Sequence, residues 1–93
     1  MAAVLCAVEL FIPAAGSLKT KRQVVKSVLE RIRARCHAAV AETGHQDVWQ
    51  RAALEAAMVG SSRAVLEKQV EVLRRILDDT GEAEVTSFTV EYL

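Results

Sequence analysis

Aromatic side chains are scarce in this sequence: phenylalanine, tryptophan and tyrosine make up only 4% of it. Leucine, valine and isoleucine must therefore supply most of the buried area. The hydrophobic fraction of 52% overstates that core, because fifteen of the residues counted in it are alanine. Cysteine is sparse as well. Cys6 and Cys36 make no CxxC pair and no dense framework, which excludes a disulfide-stapled scaffold and fits a reduced environment. No apolar run approaches the roughly 20 residues that span a bilayer. The start of the chain lacks the basic region and small-residue cleavage pattern of a secretory signal. The expectation is a cytoplasmic protein with no membrane partner.

Net charge is absent too. Twelve basic and twelve acidic residues cancel, so the whole molecule has no field that would gather polyanions. The charges are unevenly spread, however. Ser17 to Arg35 holds seven bases and one acid, 7 − 1 = +6, whereas Asp78 to Leu93 holds five acids and no base. That asymmetry directs the search for an anionic partner to one segment.

Ninety-three residues suit a single domain with one core, and its elements follow from local patterns. Residues 3–12 form an apolar run stopped by Pro13 and Gly16, which reads as a strand with Val4, Cys6, Val8, Leu10 and Ile12 on its core face. Ser17 is placed to cap a helix running to about Arg35. At about 100° per residue, Leu18, Val25, Val28, Leu29 and Ile32 form its buried stripe, and Lys19, Arg22, Lys26 and Arg33 share one flank. Residues 36–42 read as a short strand. A turn at 43–47, containing Gly44, leads to a third strand from about Trp49 to Val59, with Leu54, Ala56 and Met58 facing inward. Gly60, Ser61 and Ser62 precede a second helix to about Asp79, centred on Leu66, Val70, Leu73 and Leu77. The last strand alternates, with Phe88, Val90 and Tyr92 on one side.

A β-α-β-β-α-β order is the split βαβ arrangement. The expected fold is α+β, a ferredoxin-like sandwich spanning residues 1–93, with two helices on one face of a four-stranded antiparallel sheet. The second sheet face is then uncovered. Leu5, Ala7, Phe11, Ala53, Ala57, Val59 and Val85 would lie on it among acids and hydroxyls, and Leu5, Phe11 and Val59 would form a self-association surface.

Candidate chemistry concentrates in two places. Lys19, Lys21, Arg22, Lys26 and Arg33 on the first helix, with Arg51, could contact RNA phosphates; the alternative is a solvated helix face. His45, Gln46, Asp47 and Trp49 at the hairpin could form a partner site. Alternatively, the turn is structural, pinned by Asp47, with Trp49 covering one end of the core and Arg51 paired on the sheet. No nucleophile adjoins His45, so catalytic residues are not expected. Cys6, Cys36, His37 and His45 lack ligand spacing, and no GxGxxG or GxxxxGK[ST] pattern occurs; neither metal nor cofactor is expected. The third strand, RAALEAAMV, lacks the aromatics on which RNA recognition motifs stack bases.

Ser17-Leu18-Lys19-Thr20-Lys21-Arg22 resembles the SLKxKR motif of the bacterial YlxP-like family, and His45-Gln46-Asp47-Val48-Trp49-Gln50-Arg51-Ala52 resembles its HQDxWQRA motif. Thr20 stands where that family commonly has an acid. The resemblance covers essentially the whole chain and implies a ferredoxin-like fold with no established catalytic residues. It also implies a link to RNA or the ribosome, because the family's genes often adjoin those for transcription elongation, translation initiation and ribosome maturation. The resulting expectation is a non-enzymatic accessory factor that contacts RNA or a ribosomal subunit through the basic helix flank. The alternative is a homo-oligomeric interaction module built on the open sheet face.

Overall fold

The computed structural model describes residues 1–93. The elements run in the order β1 (Ala2–Phe11), α1 (Leu18–Cys36), β2 (Ala39–Gly44), β3 (Arg51–Gly60), α2 (Arg63–Asp78) and β4 (Glu84–Tyr92). The strands form one sheet in the order β2-β3-β1-β4, with every neighbouring pair antiparallel. This is the expected ferredoxin-like sandwich. No helix is long and apolar enough to cross a membrane.

Alternation along β1 determines how the layers meet. Val4, Cys6, Val8, Leu10 and Ile12 are all buried against the helices, because successive strand side chains point to opposite faces. Opposite them lie Met58, Ala56, Leu54 and Ala52 of β3 and, on the other side, Tyr92, Val90 and Phe88 of β4. The helices contribute Val24, Val25, Val28 and Ile32 from α1 and Leu66, Val70, Leu73, Ile76 and Leu77 from α2. Leu18 and Leu29, expected in the α1 stripe, are only half-buried, and Val24 is buried. Ser17 and Ser62 cap the two helices by accepting the N–H of Thr20 and Val65. Two guanidiniums cover the rings of β4: Arg63 lies 4.0 Å over Tyr92, and Arg74 lies 4.1 Å over Phe88.

Three local expectations are corrected. Cys36 belongs to the last turn of α1, not to β2: it is buried, so the helix continues until His37, at φ 51, turns the chain in the left-handed region. The strand β3 begins at Arg51, and Trp49 stays in the preceding turn. Val85 lies on the helix side of the sheet. A bulge between Glu9 and Leu10 leaves Thr86 unpaired and sets Val85 opposite the buried Leu10, where it borders a small depression with Arg74, Leu77 and Phe88.

Both cysteines are free and buried. Burial raises the Cys6 thiol pKa above the ordinary range, with Arg74 opposing; burial also raises that of Cys36, with Arg35 opposing. Above that ordinary range the unfolded chain releases thiol protons that the folded chain retains. The thiol contribution to stability is therefore whole below that range and is lost as pH rises from it through the raised pKa of the folded thiols. Ellman's reagent should titrate neither thiol in the native protein and both in denaturant; a fast-reacting native thiol would contradict this packing.

Candidate functional site

The first turns of α1 and the β2–β3 connection, which carry the two sequence motifs, meet in space. Lys21 joins them. Its side chain is 0% exposed, and its ammonium donates to the backbone carbonyls of His45 at 2.8 Å and Gln46 at 3.2 Å. The same nitrogen lies 2.6 Å from Glu42 Oε2, a close ion pair. A buried ammonium needs this degree of satisfaction, because removing it from water without partners is prohibitive. Lys21 is therefore not a phosphate contact: the partners that hold it lie within the fold.

The rest of the turn is fixed by its own residues. The Gln46 side-chain amide donates to Glu42 O at 3.1 Å, and that of Gln50 donates to Pro13 O at 3.0 Å. Ile12 N–H donates to Gln50 O at 2.8 Å, and Val48 N–H donates to His45 O at 3.0 Å. His45 sits at φ 57, a left-handed conformation that costs a non-glycine residue about 1 kcal/mol or more. Gly44 serves a different need, since a Cβ there would come within 3.1 Å of Ala53 Cβ. Asp47 takes no part in the pinning, contrary to expectation; it is exposed, and Lys21, Gln46 and Gln50 do the work. Nor does Trp49 cover the core: it is 52% exposed, beside Val48 at 43%.

The His45 side chain reaches the open sheet face. Its Nε2 lies 3.0 Å from Glu9 Oε1, which also takes a longer contact of 3.5 Å from Arg51 Nη2. Arg51 is thus paired on the sheet as one expectation had it. It stands opposite Phe11 on the face away from the helices, so it does not extend the basic surface of α1. On that helix Lys19, Arg22, Lys26 and Arg33 are all exposed. Arg33 donates to Val40 O at 3.0 Å, and no ion pair engages any of the four.

On the open face Leu5 and Phe11 are half-buried and Val59 is 61% exposed. Leu5, Ala39, Ala41 and Ala57, with Thr43 and Glu55, border a shallow depression of about 310 Å³. Glu9, Glu42 and Gln50 had no place among the candidate residues, although they hold the site together. Only Lys21 carried a signal: at about 100° per residue it falls within about 20° of both Val28 and Ile32, in the middle of the buried stripe.

Comparisons with known proteins agree with this architecture. SnoaB, a cofactor-independent oxygenase from Streptomyces nogalater, superimposes with a TM-score of 0.61 at 6% identity, covering 98% of this chain and 92% of that one. The de novo designed protein LFR1 1, with a ferredoxin fold, gives a TM-score of 0.53 at 14% identity over 100% of this chain and 84% of that one. At such identities the likeness is one of fold. In sequence, the Bacillus subtilis (strain 168) protein described as uncharacterized protein YlxP is 38% identical over 84 residues, 90% of this chain and 91% of that one. A family model described as a protein of unknown function (DUF503) matches residues 4–90, and the chain belongs to this YlxP-like bacterial family.

Proposed function

We propose that the protein is a non-enzymatic accessory factor that contacts RNA, on the ribosome or in an assembling subunit, through the exposed cations of α1. One observation carries this reading. With Lys21 withdrawn into the fold, α1 still exposes six bases against the single acid Glu30, 6 − 1 = +5, and none of the six enters an ion pair. By contrast, α2 carries four bases and three acids, 4 − 3 = +1, and its Arg63 pairs with Glu67 at 3.2 Å. Helix stability alone favours the opposite arrangement, because the N-terminal end of a helix dipole prefers acids. The first turn of α1 contains none, and Lys19 and Arg22 stand at that end. An external polyanion gives these charges a partner.

Co-sedimentation with ribosomal subunits from a bacterial lysate, over a salt series, tests the reading. Binding should weaken steeply with salt and with the combined reversal Lys19→Glu, Arg22→Glu and Lys26→Glu. Binding unaffected by that reversal, or none at low salt, overturns it.

A second reading is favoured by the open sheet face, where Leu5, Phe11 and Val59 accompany the alanine-lined depression. There the protein self-associates, and Phe11→Glu should reduce the sedimenting mass to that of the monomer. A wild type that is already monomeric at micromolar concentration removes this reading.

A further inference from the structure

We infer that the 45–50 turn is a base-stacking platform, on which Trp49 receives an unpaired nucleobase of a single-stranded RNA whose phosphates run along Lys19, Arg22 and Lys26. The inference rests on the RNA reading above and specifies its ligand. Three features of the turn converge on it.

The indole is more than half exposed although a β-α sandwich so poor in aromatics could have used it as core. Its exposure is not the result of a loose loop. Hydrogen bonds of Lys21, Gln46, Gln50 and the Ile12 N–H hold the turn, and His45 is kept in a costly left-handed conformation. Such over-determination fixes the turn that carries the ring before any ligand arrives, which lowers the ordering cost of stacking. The turn also adjoins the start of α1 through Lys21 and through Gln50, which contacts Pro13 in the β1–α1 loop. The platform and the unpaired cations Lys19 and Arg22 therefore share one end of the molecule.

A flat ring beside uncompensated positive charge is the combination that binds single strands: cations track the backbone while the ring takes the base face. A paired duplex keeps its bases stacked inside and offers the ring nothing comparable. The open sheet face contributes no aromatic to such a strand beyond Phe11, so stacking falls to the turn.

Trp49 is the sole tryptophan, and its fluorescence reports this site alone. The test titrates the full chain with a short unstructured oligoribonucleotide and with the same strand annealed to its complement. Indole emission and labelled-RNA anisotropy are read at several salt concentrations. The single strand should quench the indole and bind more tightly than the duplex. Trp49→Ala should weaken binding about ten-fold or more with an unchanged salt slope, and Trp49→Phe should recover part of the loss. Circular dichroism checks that both variants fold. Salt-dependent binding without quenching, with Trp49→Ala equal to wild type, overturns the platform and leaves the RNA reading intact. Equal affinity for the duplex also overturns it. Absence of RNA binding at low salt removes both, and Trp49 with Val48 then belongs to a protein contact.

Discussion

Replacing Lys21 by methionine should destabilise the fold by about 3 kcal/mol, the cost of breaking a buried ion pair by removing one partner. For a domain of this size that corresponds to a fall in melting temperature of roughly 15 °C. Methionine preserves most of the apolar stem, so the loss isolates the ammonium. What remains is the Glu42 carboxylate, 18% exposed, without its cation, the Gln46 carbonyl without the Lys21 donor, and the His45 carbonyl with only the Val48 N–H. The left-handed His45 then loses one of the contacts that hold it, and the turn loosens. Thermal unfolding measures the loss, and Trp49 fluorescence shows whether the ring becomes more mobile. Adding Glu42→Leu should return part of the stability, since an apolar pair in place of a buried ionic one is often neutral or better. A Lys21→Met variant as stable as wild type would mean that the turn stands without its pin.

The second large effect concerns binding. The triple reversal of Lys19, Arg22 and Lys26 should lower RNA affinity on the order of 100-fold at low salt and reduce the salt slope by about 2 to 3, since each lost phosphate contact removes somewhat under one unit. Folding should barely change. These side chains make no ion pair, exposed substitutions usually lie within about 0.5 kcal/mol, and acids near the start of α1 suit its dipole. Reversal of Lys68 and Arg75, exposed on α2, is the matching control and should leave affinity nearly intact. Losses from the two sets in proportion to the charge each removes would mean that binding follows net charge, not the α1 surface.

Together these variants separate the two roles of the SLKTKR segment. Lys21 acts inward on stability, and its neighbours Lys19 and Arg22 act outward on binding. On a helix Lys19 is turned about 200° and Arg22 about 100° from Lys21, so neighbouring cations of one motif serve different sides of the surface.

Much of the fold was legible in local order. The alternation of β1, the serine caps of both helices and the stripe centred on Val28 and Ile32 are all periodic features of a few residues, and a chain segment carries them wherever it packs. The limits of β2 were not legible, because alanines at 38, 39 and 41 have weak strand preference and Cys36 suits a helix end as well as a strand. The side on which Val85 lies depended on a bulge opposite Glu9 and Leu10, which no pattern within β4 records.

By itself the sequence determined the element order, the core faces of β1 and β3 and the excess of cations on α1, since each depends on residues within one or two turns or pleats. The tertiary structure decided which of those cations are free. A lysine stem can carry its charge outward or inward, and the choice at residue 21 depends on carbonyls and a carboxylate that arrive 21 to 25 positions later. The same contact helps to fix the turn on which Trp49 stands exposed. Periodicity is local, whereas the pairing of a buried charge is settled by whichever distant groups the sheet brings within about 3 Å.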